Sequence, residues 1–124
     1  MKAVILGATK GMGRAVARAL VERGDEVFLL GRAGADLAQS AKDLEQRGKP
    51  GRTVVHAECD LEQPTGFSAA LDAAEAGLPG FDCVLVVAGA FGTQDALEND
   101  PVFLQRLLTV NFVGTVLFCE AARK

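Results

Sequence analysis

Apolar residues along this chain follow two rhythms. Short unbroken runs occur at residues 3–6 (Ala3, Val4, Ile5, Leu6), 26–30, 53–57 and 82–88. Each is read as a strand, and the first, which has no polar residue at all, predicts a strand buried on both faces. Between the runs the apolar residues recur at helical spacing. Met12, Ala15, Val16, Ala19 and Leu20 predict one face of a first helix, with Arg14, Arg18 and Glu22 opposite. Leu37, Ala41 and Leu44 stripe a second helix, and Phe67, Ala70, Leu71 and Ala74 a third. A long fourth helix is predicted over 102–122, apolar nearly all round its middle. The stops are equally regular. Gly24 sits where a helix ends on glycine, Gly48 is followed by Pro50, and Gly77 by Pro79 and Gly80. Asn99, Asp100 and Pro101 form a start signal, a capping side chain beside a proline suited to the first turn.

The resulting order, strand and helix in strict alternation, implies an α/β fold: a parallel sheet, doubly wound with helices on both faces. Right-handed crossovers leave few arrangements of such a chain. The 124 residues are one domain's worth, with no linker, repeat or low-complexity tract. A hydrophobic fraction of 49% and a charged fraction of 23% are ordinary globular values. The net charge of −3 argues against nucleic acid and against an anionic membrane surface as partners.

The first strand runs directly into Gly7, Ala8, Thr9, Lys10, Gly11, Met12 and Gly13, where the first helix opens. Each glycine has its own physical role. Gly7 lets the chain turn sharply off the strand. Gly11 lets backbone approach a pyrophosphate, and Gly13 lets the helix pack close to the sheet. The free N–H groups and positive end of the helix then face the phosphates. A glycine triplet placed between a strand and an amphipathic helix is a strong dinucleotide signal. The spacing does not fit the kinase-like phosphate loop. The end of the second strand sets the choice of dinucleotide: an acid there suits the ribose of NAD, a base the 2′-phosphate of NADP. Here the chain reads Leu30, Gly31, Arg32. Arg32 offers a bidentate fork, and Lys10 adds a second charge from the loop, which favours NADP over NAD.

What is missing narrows the chemistry further. The chain contains no tyrosine, two serines (Ser40 and Ser68) and one histidine, His56, which sits mid-strand as a structural residue. Cys59, Cys83 and Cys119 lie among apolar neighbours, too far apart in sequence to form a metal-ligand pair, and read as buried free thiols. No metal site is expected. The acidic residues Glu58, Asp60 and Glu62 read as a solvated loop. Free thiols fit a reducing compartment. The apolar run before Gly7 is too short for a signal peptide. The most apolar stretch, 107–119, falls short of the roughly 20 residues that a membrane span needs. The expected location is the cytoplasm.

These residues resemble the short-chain dehydrogenases/reductases. The Gly7-x-x-x-Gly11-x-Gly13 spacing is similar to that family's glycine motif. Cys59, Asp60 and Leu61 resemble the segment whose aspartate contacts the adenine ring. Val86, Val87, Ala88 and Gly89 end the fourth strand where the family usually has Asn-Asn-Ala-Gly, and Asn111 falls where it places a structural and catalytic asparagine. The resemblance covers the whole chain, but only the N-terminal half of the family's usual domain of about 250 residues. It implies a Rossmann-like sheet in strand order 3-2-1-4, truncated relative to the family, with residues 1–124 as its NAD(P)-binding half. It implies NADP(H)-dependent hydride transfer between an alcohol and a carbonyl, with an unidentified substrate. The implied cofactor contacts are Gly7, Thr9, Lys10, Gly11, Met12, Gly13, Arg32, Asp60, Leu61, Ala88 and Gly89. Asn111 would help complete a proton relay. The valines at 86 and 87 remove side-chain hydrogen bonds made there in the family, while backbone contact at Ala88 and Gly89 remains available. The family's Ser and Tyr-x-x-x-Lys pair are not among these residues, so a non-catalytic NADP(H)-binding or sensing module is the alternative. The fourth strand would present an apolar edge at 84–87. The helix over 102–122, through Phe103, Leu107, Val110 and Val113, lies where related enzymes pair their subunits, which predicts a homo-oligomer.

Overall fold

The computed structural model describes residues 1–88 and 93–123. In chain order it contains β1 (Lys2–Leu6), α1 (Gly11–Arg23), β2 (Glu26–Gly31), α2 (Gly34–Arg47), β3 (Val55–Glu58), α3 (Phe67–Gly77), β4 (Cys83–Val86), α4 (Gln94–Asn99), α5 (Pro101–Leu108) and α6 (Thr115–Arg123). A 3₁₀ turn, Pro64–Gly66, leads into α3, and a π-helical segment, Thr109–Gly114, joins α5 to α6. The four strands form one parallel sheet in the order β3-β2-β1-β4. Val4 pairs with Phe28 on one side and Val84 on the other, so β1 lies at the centre with both neighbours in register. The α/β class and the strand order are those expected from the sequence.

The central strands send alternate side chains into two cores. On one face, Val4, Leu6, Phe28 and Leu30 pack with Phe67, Ala70 and Ala74 of α3 and with Val110 and Phe118. On the other, Ala3, Ile5, Val27 and Leu29 pack with Ala17 and Val21 of α1 and with Leu37, Ala41 and Leu44 of α2. Full burial of each large side chain, such as Ile5, Leu6 or Leu29, contributes about 1.5–3 kcal/mol. This two-sided demand is why the strand runs lack polar alternation.

The helix signals hold at several ends. Gly24 closes α1 in the left-handed conformation, its N–H bonding back to the Leu20 and Val21 carbonyls. Asp100 caps α5 by accepting from the Phe103 N–H at 3.1 Å, with Pro101 in the first turn. Two expectations need correction. The face of α1 on the sheet is Gly13, Ala17 and Val21. Met12, Ala15 and Ala19 are exposed, and Val16 and Leu20 half-buried. The approach of Gly13 to the loop, described below, fixes the helix's rotation, and small residues rather than the broad apolar stripe lie underneath. The long fourth helix is also interrupted, by the π segment at its middle, and a short α4 precedes it.

The cysteines are free, but only Cys59 is buried; Cys83 is half-buried and Cys119 exposed. The run Pro101–Arg123 spans 23 residues at a mean hydropathy of 1.6, long and apolar enough by composition to cross a bilayer, where the sequence count fell short. Its buried positions, Val110, Gly114 and Phe118, face the sheet and the Leu61 turn, so Val110 belongs to the chain's own core and not to the subunit-pairing face expected from the sequence. Much of the remainder is exposed, including Val102, Leu108, Phe112, Val113, Val116 and Leu117. β4, whose four residues are all half-buried, forms the sheet edge beside it, as the sequence predicts.

Candidate functional site

Parallel strands end on the same side of the sheet, so the residues after β1, β2, β3 and β4 gather at one edge. That carboxyl-end crevice is where open α/β sheets hold ligands. The tightest point is the turn after β1. Gly7 has φ +105° and its N–H donates to the Leu30 carbonyl at 3.1 Å. A Cβ on Gly7 would stand 2.5 Å from the Ala88 nitrogen. Val87 and Ala88 both donate their N–H groups to the Leu6 carbonyl, at 2.9 and 3.1 Å. A Cβ on Gly13 would overlap the Gly7 carbonyl and come within 2.9 Å of the Val87 side chain. Three backbones, those leaving β1, entering α1 and leaving β4, therefore meet without side chains between them. Gly11 differs. Its φ of +54° favours glycine, and a Cβ there would meet no described atom within 4 Å.

This turn opens onto a cavity of about 390 Å³. Of the residues singled out by sequence, Gly7, Thr9, Lys10, Arg32, Asp60, Leu61 and Ala88 line it. Gly11 and Met12 stand exposed at the start of α1, Met12 by 73%. Gly13 is buried in the joint. Asn111 is exposed on the π segment, one residue from Val110, which does line the cavity. Gly89 lies outside the described residues. As lining residues the sequence missed Leu6, Gly31, Ala33, Asp36, Cys59 and Val110. Cys59 sits next to a residue that sequence reasoning did find. Asp36 and Val110 reach the cavity through the rotation of their helices, which no spacing in the sequence reveals.

The electrostatics of the cavity mouth are uneven. Arg18, Arg23, Arg47, Arg106 and Arg123 all hold carboxylates. Among the described residues, Lys10, Arg14 and Arg32 form no ion pair, and neither do Lys2, Lys42, Lys49 and Arg52, none of which lines this cavity. Lys10 and Arg14 flank the first turn of α1, which contains no acid, although the positive end of a helix favours anions. Asp36, in the first turn of α2, and Asp60 are the carboxylates that line the same cavity as Lys10 and Arg32. Asp60 is shaped by its own turn, its Oδ1 accepting from the Glu62 N–H at 2.9 Å. Glu62 is not simply solvated, as the sequence suggested, because it accepts from Arg106 Nε at 3.1 Å. Burial, reinforced by the Asp60 charge, pushes the Cys59 thiol up to about 11, so it stays protonated and unreactive near neutrality.

A neighbouring groove of about 440 Å³ between α1 and α2 shares Thr9, Lys10 and Asp36 with this cavity. A further cavity of about 280 Å³ lies at the opposite end of the strands, lined by residues such as Asp25, Glu45 and Arg52. Its charges are largely engaged: Glu45 accepts from the Val54 N–H, and Arg52 donates to the Gly24 carbonyl. No cluster of three or more metal-ligating side chains occurs among the described residues.

The family model described as short chain dehydrogenase matches residues 1–124. The short chain dehydrogenase resG of Aspergillus sclerotiorum is 33% identical over 112 residues, covering 90% of this chain and 31% of that protein. The crystal structure of a short-chain type dehydrogenase/reductase from Mycobacterium marinum superposes with a TM-score of 0.86 at 30% identity, over 98% of this chain and 48% of that one. A variant of actinorhodin polyketide ketoreductase, solved with NADPH, shares the fold at a TM-score of 0.88 and 24% identity, over 99% of this chain and 46% of that one. The chain thus spans between about a third and a half of the length of these proteins. With its glycine turn, its 3-2-1-4 sheet and the family match along its whole length, this chain belongs to the short chain dehydrogenase family.

Proposed function

We propose that these residues form the NADP(H)-binding half of an enzyme that moves hydride between an alcohol and a carbonyl. One observation carries the choice of cofactor. At the end of β2, Gly31 and Arg32 stand where NAD binding would call for an acid, and Arg32 and Lys10 border the cavity without an ion pair of their own. The site also fits a dinucleotide in shape: the cavity lies at the glycine turn, and Gly11 leaves open space where any other residue would project a Cβ.

In this reading the N–H groups at the start of α1 bind the pyrophosphate, with Gly11 and Met12 at its approach. Arg32 and Lys10 hold the 2′-phosphate. Asp60 and Leu61 hold the adenine, Thr9 lines the adenosine end, and the backbone at Ala88 and Gly89 meets the nicotinamide-side ribose. When bound, the nicotinamide accepts or delivers the hydride. Asn111 contributes to the proton relay from the π segment. A second copy covers the exposed face of α5 and α6, and the free thiols suit a cytoplasmic location.

The experiment is a titration with NADPH and NADH, repeated on Arg32→Asp. The substitution is expected to weaken NADPH by one to two orders of magnitude, since a charged hydrogen bond contributes about 1.5–3 kcal/mol. Unchanged NADPH affinity would sink the assignment of Arg32. A second reading, a non-catalytic NADP(H)-binding module, is favoured by the absence of tyrosine from the 124 residues. Reading the native gene past the codon for Lys124 separates the two: a Tyr-x-x-x-Lys with an upstream Ser supports the enzyme, and a stop codon supports the module.

A further inference from the structure

Gly114 is buried at the end of the π segment, and a Cβ there would overlap the Leu61 carbonyl and stand 3.0 Å from the Leu61 Cβ. The helix therefore touches the backbone of the turn that follows β3. Leu61 and Val110 both line the nucleotide cavity, and both are nearly fully buried. The Thr115 hydroxyl donates to the Val110 carbonyl at 3.0 Å, giving that carbonyl a partner where the helical pairing is irregular. Within six residues, then, the chain contributes a piece of cavity wall (Val110), the exposed Asn111, and a backbone contact to a second piece of wall (Gly114 on Leu61). Leu61, Val110 and Gly114 form one packed unit, and Asn111 projects from it.

We propose that Gly114 is a positioning residue: its contact with Leu61 couples the adenine end of the cavity to the π segment that presents Asn111, so that filling that end orders the segment. The coupling rests on the reading above that the cavity takes an adenine nucleotide. It adds that occupancy at the adenosine end is felt at Asn111, the residue after Val110 on the π segment.

The test uses adenosine 2′,5′-bisphosphate, which carries the adenine and the 2′-phosphate and lacks the nicotinamide half. Hydrogen exchange of the amides of residues 109–115 is followed with and without saturating probe. In the wild-type chain, exchange in this segment is expected to slow about tenfold. Gly114→Ala should weaken the probe about tenfold and abolish the slowing, because the Cβ forces the helix off Leu61. Thr115→Val should keep probe affinity within about threefold while speeding exchange of the segment in the free protein. A role in packing alone would lower the melting temperature of Gly114→Ala yet leave probe affinity and the probe-dependent slowing intact, and that result would overturn the proposal. If Gly114→Ala fails to fold, the wild-type chain and Thr115→Val decide: no slowing in either overturns it. Failure of the wild-type chain to bind the probe would overturn the nucleotide reading itself, and the coupling with it. Binding without slowing would overturn the coupling and leave that reading standing.

Discussion

α1 and α2 on one side, and the more apolar α5 with α6 on the other, use their apolar residues in opposite ways. In the first pair, the buried stripe of Gly13, Ala17 and Val21 with Leu37, Ala41 and Leu44 lies on the sheet, and the polar residues point outward. In the second, Val110, Gly114 and Phe118 are buried, while Val102, Phe112 and Val116 on the remaining surface are 68%, 68% and 52% exposed. Apolarity on a helix thus reports a demand for cover, and only an amphipathic stripe reports that the chain's own sheet supplies it.

The largest contrast should come from two phenylalanines six residues apart. Phe118 is fully buried and meets Phe67 edge-on at 5.3 Å. Phe118→Ala should cost about 3–5 kcal/mol in denaturant unfolding, whereas Phe112→Ala should stay within about 0.5 kcal/mol. Equal effects would mean that the exposed face is covered in solution. Next in size is Gly13→Ala, whose Cβ overlaps the Gly7 carbonyl. It should destabilise the covered side by about 1–3 kcal/mol and weaken NADPH binding in parallel. Third, the exposed face should make the chain associate. Light scattering at tens of micromolar should show species larger than a monomer, and Phe112→Asp with Val116→Asp should shift the population toward monomer. A clean wild-type monomer would count against pairing through this face.

The smallest effect concerns pH. Asp25 accepts from the N-terminal ammonium at 2.9 Å and from Arg23, and these partners hold its carboxyl below the ordinary carboxylate range. A depressed folded value stabilises the protein above the unfolded value of about 3.9 and is lost as pH falls through the folded one. Wild type and Asp25→Asn should therefore differ in stability at neutral pH and converge in acid. Parallel curves across that range would show that the carboxylate's charge contributes nothing.

The central strands β1 and β2 were legible because burial on both faces leaves nearly unbroken apolar runs, and the glycine turn because Gly7 and Gly13 answer to backbone collisions that no other residue survives. The Asp100 cap was legible for a similar reason: a local hydrogen bond needs only local sequence. The face of α1 was not. Five apolar residues suggested one rotation, and a single close approach at Gly13 imposed another. The π segment left no pattern either: its contacts, from the Thr115 hydroxyl to the Val110 carbonyl and from Gly114 to a turn some fifty residues earlier, include one between distant parts of the chain. Most cavity residues that follow the strand ends were found, although Leu6 and Cys59 were not, and those brought in by helix rotation, Asp36 and Val110, were missed.

The joint where Gly7, Gly13 and Ala88 meet has a mechanical meaning as well. The backbones touch at the joint itself, and hydrostatic pressure acts on proteins through the empty space that unfolding eliminates. Squeezed in solution, this molecule should give way first at its cavities, and the contact among Gly7, Gly13 and Ala88 should be among the last parts to change shape.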